Sequence, residues 1–245
     1  MTSESLPRAA ETDYLTEALH RCGALADDRV CEAEVESSRA TLLSRIIRLR
    51  LSYDGAANGA PRSIILKTCL PERADAKWNS GRQEVAFYTQ IAAAMAEPAV
   101  PRCFDAVWDT GSNAWHLLLE DLTDSHFTLG DWPMPPTLAH SEQIIAARAR
   151  FHATWWNDPR LGVSIGTWLP ADDRQLQAFA EKVGQFADRV GDRLSPERLD
   201  FYRRLIDAGP RLNVRYHLHR DMTIVQGDSH VWNVFPRDDG NRHEK

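Results

Sequence analysis

The chain lacks any close pair of cysteines: Cys22, Cys31, Cys69 and Cys103 are widely spaced, with no C-x-x-C among them. They read as reduced thiols of a cytoplasmic protein rather than a disulfide framework. No apolar run approaches the length needed to span a bilayer. The polar stretch from Met1 to Asp13 has no apolar core of the kind a secretory signal carries. Positive charge is not in excess, since 29 Lys and Arg face 35 Asp and Glu for a formal net charge of -6. That gives no general attraction to nucleic acid or to an anionic membrane, though it leaves room for a local basic pocket. Internal repeats and long low-complexity segments are missing too. What remains is 245 residues, 43% hydrophobic and 26% charged, an ordinary globular composition with enough length for one large domain or two lobes.

Hydrophobic spacing divides the chain into a strand-rich first half and a helical second half. Tyr14, Leu15, Ala18, Leu19 and Cys22 recur at helical spacing. Val30 to Val35, Leu42 to Leu51 and Ser63 to Cys69 read as strands, with turn residues from Asp54-Gly55 to Asn58-Gly59 between the last two. Ser80 and Gln83 form a capping-box pair ahead of an apolar stripe of Val85, Tyr88, Ala92 and Met95. Phe104 to Trp108 and Trp115 to Leu119 complete a predicted five-stranded antiparallel sheet. After Glu120-Asp121-Leu122 comes an irregular connector, Thr123 to Pro136. Helical faces follow in Ile144, Ala147, Phe151 and Trp155, and in Leu176, Phe179, Val183, Phe186 and Val190. A further helix opens at Ser195-Pro196-Glu197 and is expected to stop by Gly209-Pro210. Sheet first and helices second is the order of a bilobal α+β protein, divided here into 1–122 and 123–245.

The chemistry concentrates at Ile224-Val225-Gln226-Gly227-Asp228-Ser229-His230-Val231-Trp232-Asn233. An apolar run ends in Gly-Asp, and an Asn follows that Asp after five positions. The spacing suits phosphoryl transfer, with a carboxylate to accept a hydroxyl proton and an amide oxygen to hold a metal. Gly227 offers the backbone freedom that a sharp loop often needs. Taken alone, the same residues also describe a surface turn. His219-Arg220-Asp221 spells a protein-kinase H-R-D, but Gln226 stands five residues on from Asp221, and Met222 to Val225 reads as a buried strand. The chemistry therefore falls to Asp228. His217-x-His219-x-Asp221 also matches the start of a metallohydrolase H-x-H-x-D-H pattern, although Met222 takes the place of the last His. That makes a metallohydrolase the distant alternative.

The Gly-Asp-x4-Asn stretch resembles the catalytic loop of aminoglycoside phosphotransferase and choline kinase-like small-molecule kinases, the ecdysteroid kinase-like group among them, with Gln226 in the place of the usual His. Ala149-Arg150-Phe151-His152-Ala153 resembles the L-H-A element of the bacterial branch, with His152 read as a packing residue. The resemblance implies a protein kinase-like fold: an N-terminal lobe of five antiparallel strands plus a helix, and a mainly helical, incomplete C-terminal lobe. It implies a cytoplasmic enzyme that uses ATP and Mg²⁺ to phosphorylate a hydroxyl of a small molecule. Asp228 would be the catalytic base, and Asn233, with Asp228, the metal-binding pair. Lys67, in the strand Ile64 to Cys69, would bind the α- and β-phosphates, paired with Glu84 on the following helix. Judged singly, Lys67 also reads as an edge-strand or snorkelling lysine, and Glu84 as a solvated helix residue.

Glu120-Asp121-Leu122 would be the linker between lobes, and Glu120 and Leu122 would offer backbone groups to adenine. No G-x-G-x-x-G lies between the first two strands. The phosphate-covering turn is instead expected at Glu36-Ser37-Ser38-Arg39-Ala40-Thr41, where Ser37, Ser38 and their amides would bond phosphate oxygens and Arg39 would add charge. A hairpin turn without a ligand is the other reading there.

The family pattern continues past the catalytic Asn through a strand, a turn and a returning strand that ends in the main metal-binding Asp. Here Val231 to Phe235 is the expected outgoing strand, Asp238-Asp239-Gly240 the turn, and Asn241 to Lys245 the last residues. The resemblance thus implies a truncated or fragmentary kinase with weak or no turnover, or a non-catalytic nucleotide- or ligand-binding pseudokinase, whose apolar helix faces are open to self-association.

Overall fold

The computed structural model describes residues 6–70, 80–96, 99–129, 136–165, 173–213 and 220–237. Two compact units emerge, Met1–Ile144 with Asp228–Lys245, and Ile145–Gly227.

The first unit is built on helix α1 (Thr12–Arg21) and five strands: β1 (Val30–Ala40), β2 (Ser44–Tyr53), β3 (Ser63–Cys69), β4 (Cys103–Trp108) and β5 (Trp115–Glu120). The sheet order is β1-β2-β3-β5-β4, and every neighbouring pair is antiparallel. The five-stranded antiparallel sheet is as expected, and with the helices it makes an α+β fold with a kinase-like N-terminal lobe.

Alternation decides which residues meet which helix. On one face Leu15, Ala18 and Leu19 of α1 bury against Ile47, Leu49, Ile64, Leu66 and Leu118. Burying an aliphatic side chain in this way contributes about 1.5–3 kcal/mol. Polar contacts fix the seat of α1. Thr16 Oγ1 donates to the Thr12 carbonyl and accepts the Val30 amide. Asp105 accepts from Tyr14 at 2.7 Å and Arg21 at 3.0 Å, and lies 3.0 Å from His116 Nε2.

The opposite face carries a second core of Val85, Trp115 and Leu117, with Tyr88 and Leu119 packed on it. Here α2 (Ser80–Ala86) runs into a π-turn at Phe87–Ile91 and a 3₁₀ turn at Ala92–Ala94. The predicted stripe of Val85, Tyr88 and Ala92 is thus carried on a helix whose winding changes midway. The Ser80 side chain that would complete the capping box lies outside the described residues.

Two sequence expectations about the hairpin and one about the last helix are corrected. β1 continues to Ala40, because Ser37, Ser38, Arg39 and Ala40 pair with Arg48, Ile47, Ile46 and Arg45. The turn is therefore confined to 41–43 rather than Glu36 to Thr41, and β2 begins at Ser44 rather than Leu42. A β-bulge between Val35 and Ser37 absorbs the extra residue, which is the usual function of a bulge. In the second unit α4 (Asp173–Val190) and α5 (Pro196–Asn213) pack together, and α5 passes through Gly209-Pro210. Gly209 is buried against Leu176, where an added Cβ would lie 2.6 Å from a Leu176 methyl. The pair is a close crossing, not a stop. Ser195 accepts the Arg198 amide, as expected of a cap.

Helix α3 spans Leu138–Thr154. Beyond α5, Met222 to Val225 is not the predicted strand. Met222 donates to Asn157 Oδ1 and accepts the Asn157 amide, and Thr223 donates to the His152 carbonyl. The contacts to Asn157 take Met222 backbone groups that a ladder would require. Val231 to Phe235 is likewise not a strand, because Val231–Asn233 forms a 3₁₀ turn. His217, His219, Asp238 and Asp239 lie outside the described residues. Among the described residues no helix is long and apolar enough to cross a membrane.

Candidate active site

Lys67 sits on β3 between Leu66 and Thr68, both buried on the α1 side, so alternation sends its ammonium to the α2 side. There Nζ meets Glu84 Oε2 at 2.5 Å, with both side chains partly exposed. What aims Glu84 is the seat of α2. Gly81, three residues earlier, lies flat on the Trp115 indole, where an added Cβ would come 2.1 Å from the ring. Gly81 is a residue of the candidate site that sequence reading missed. A glycine one turn ahead of an acid was all the sequence showed there; the tryptophan it meets is set by the tertiary structure. Tyr88, one turn beyond Glu84, has its phenol pushed up by burial, with the charges of Cys103 and Glu84 adding to the shift.

Strand register assigns the remaining candidates to faces. Arg39, Ile46, Lys67 and Leu117 form one cross-strand row, and Ser37, Arg48, Ile65 and Leu119 form the next on the same face. Ser38 falls in the row of Ile47 and Leu66, on the α1 face, and its Oγ accepts from Arg45 Nε at 2.9 Å. Ser37 and Ser38 therefore lie on opposite faces of the sheet, and only Ser37 shares a face with Lys67.

The strand-end segment holds a polar hub that went unrecognised in the sequence. Asp121 accepts from Arg48 Nε at 2.6 Å and from Ser63 Oγ at 2.7 Å, while its second oxygen takes the Thr123 amide and hydroxyl. Arg48 also pairs with Glu36 at 3.0 Å, and Glu36 in turn holds Arg50. Burial raises the Asp121 pKa, but the hydrogen bonds from Thr123, Ser63 and Arg48 outweigh it and bring it to about 2. On either side, Glu120 accepts the Arg102 amide, and the Leu122 carbonyl takes the amides of Ser125 and His126. The Leu122 N–H has no partner among the described residues.

Asp228 and Asn233 are brought together by a tight local turn. His230 Nδ1 accepts the Trp232 amide, and the His230 carbonyl accepts the Asn233 amide. Asn233 Nδ2 then donates to the Asp228 carbonyl at 3.0 Å and to Asp228 Oδ2 at 3.1 Å. With Nδ2 so engaged, Asn233 Oδ1 is left as an acceptor. Gly227 does not adopt a positive φ, so the cap at His230, not glycine freedom, makes the turn. Neither Asp228 nor Asn233 bonds to Lys67 or Glu84.

Residues 40–155 match the ecdysteroid kinase-like family. The match spans just under half of the chain and includes Lys67, Glu84 and Glu120 to Leu122, while Asp228 and Asn233 lie beyond it. It agrees with the resemblance to choline kinase-like small-molecule kinases, and at family level it supports a kinase-like phosphotransferase. No curated protein matches the chain.

Proposed function

We propose that the protein transfers the terminal phosphoryl group of ATP to a hydroxyl of a small molecule. The observation that carries this reading is the Lys67–Glu84 contact at 2.5 Å, inside the segment that matches the ecdysteroid kinase-like family. An ammonium held at one oxygen by a carboxylate keeps a fixed position from which to bind α- and β-phosphate oxygens. The Leu122 N–H, without a partner among the described residues, suits an acceptor on the adenine edge.

Asp228 orients the acceptor hydroxyl and takes its proton as the new P–O bond forms. Asn233 steadies that carboxylate through Nδ2. Asp228 and Asn233 present only oxygen donors beyond their mutual bond, a set that fits Mg²⁺. A bound Mg²⁺ would supply charge neutralisation on the β- and γ-phosphates.

The test combines calorimetric titration of ATP, with and without Mg²⁺, and transfer of labelled phosphate to a panel of aminoglycosides, amino alcohols and steroid alcohols. Lys67→Ala is expected to abolish ATP binding. Asp228→Asn is expected to retain binding and lower transfer about 10²-fold or more, the range for loss of a general base. ATP binding that is indifferent to Lys67→Ala would overturn the proposal. Binding without transfer to any acceptor selects the non-catalytic nucleotide-binding alternative.

A further inference from the structure

Loops that cover phosphates usually do so with unoccupied backbone amides. The β1-β2 turn has few to offer. Thr41 Oγ1 accepts the amides of Leu43 and Ser44 and itself donates to the Ser44 carbonyl. The Thr41 amide also goes to the Ser44 carbonyl, at 2.7 Å. A turn closed on itself in this way leaves side chains to supply the charge.

The hairpin carries several arginines, and most are engaged. Arg48 is held by Asp121 and Glu36, Arg50 by Glu36, and Arg45 donates to Ser38 on the α1 face. Arg39 differs. It is exposed, it shares a row with Ile46 and Lys67, and its guanidinium has no partner among the described residues. One strand separates Arg39 from Lys67, so their Cα atoms stand about 10 Å apart, two strand spacings. Both side chains rise from the same face, on either side of Ile46, and both are long enough to reach one anionic group above that residue.

We propose that Arg39 is a second phosphate-binding cation, which does with a guanidinium what a glycine-rich loop does with amides. A guanidinium offers two parallel N–H donors to a phosphate, a geometry that an ammonium lacks. The inference rests on the nucleotide reading above and adds a specific ligand for the phosphate chain.

The experiment measures the affinities of ATP, ADP and adenosine, each with Mg²⁺, for the wild-type chain, Arg39→Ala, Arg39→Lys and Lys67→Ala. Arg39→Ala should weaken ATP and ADP about 10-fold, as expected for one charge-assisted hydrogen bond. Adenosine affinity and the thermal midpoint should not change, and Arg39→Lys should restore part of the loss. Unchanged ATP affinity in Arg39→Ala, while Lys67→Ala still abolishes binding, would overturn the assignment and leave the nucleotide reading intact. An equal loss for adenosine would also overturn it, because it would mean a distorted hairpin. A wild-type chain that binds no ATP would overturn both.

Discussion

The Arg48 guanidinium meets the Asp121 carboxylate at 2.6 Å, tying the segment that follows β5 to the middle of β2. Asp121 is almost fully enclosed, so its charge depends on this partner together with Ser63 and Thr123. Arg48→Ala is expected to lower stability by about 2 kcal/mol, the cost of removing a hydrogen bond to a charged group. Urea unfolding of Arg48→Ala, Asp121→Asn and the double variant measures it. Additive single effects would show that the pair is not coupled.

Acid should act through Asp105 and Asp121. Burial raises the Asp105 pKa, but hydrogen bonds from His116, Tyr14 and Arg21 overcome it and bring it to about 2, as occurs at Asp121. A carboxylate whose folded pKa lies below its unfolded value, about 3.9 for Asp, contributes stability that is fully present above the unfolded value. That contribution is lost as pH falls through the folded one. Stability should therefore drop between about pH 4 and pH 2, and Asp105→Asn should flatten that drop. Denaturant melts across this range test the sign.

Gly81→Ala should disturb the Lys67–Glu84 pair without touching either residue. A methyl group cannot occupy a point 2.1 Å from the Trp115 ring, so the start of α2 must shift. Overpacking of this kind costs about 1–3 kcal/mol. A lower thermal midpoint together with weaker ATP binding is the expected result, and Trp115→Leu in the same chain should recover part of both.

Pro210→Ala is expected to stabilise the second unit. Pro210 lies within α5, where it cannot donate a helical hydrogen bond and its ring crowds the preceding turn. A gain of about 1 kcal/mol or more, read from thermal unfolding, fits a position in the last turn, since a fully interior proline costs about 3 kcal/mol relative to alanine.

Thiol labelling should rank the cysteines by environment. Cys31 is exposed, whereas the Cys103 thiol is pushed up to about 12 by burial. Because the thiolate is the reactive form, Cys31 should react first and Cys103 last under native conditions.

Much of this site could be read locally. Lys67 and Glu84 follow from a strand period of two and a helix that places an acid seventeen residues after the lysine, and Asp228 and Asn233 from one short loop. The hairpin and the final segment were harder. Ser37, Ser38 and Arg39 have turn-like composition, yet they pair as strand because Arg45 to Arg48 lie opposite and a bulge at Glu36 takes up the mismatch. Met222 to Val225 has a strand-like composition, but the Met222 backbone bonds Asn157 and the Thr223 hydroxyl bonds the His152 carbonyl.

By itself the sequence determined the order of the five strands and of the main helices and the identity of the charged residues, because side-chain period and composition are properties of neighbours along the chain. Only the tertiary structure decided that Ser38 turns away from Lys67, that Arg39 stays with it, that Gly81 seats the helix carrying Glu84, and that Asp121 rather than its neighbours anchors the strand end. Each of these depends on register across strands or on the approach of one element to another. Such distances are set by packing among residues far apart in the chain, and no local pattern encodes them.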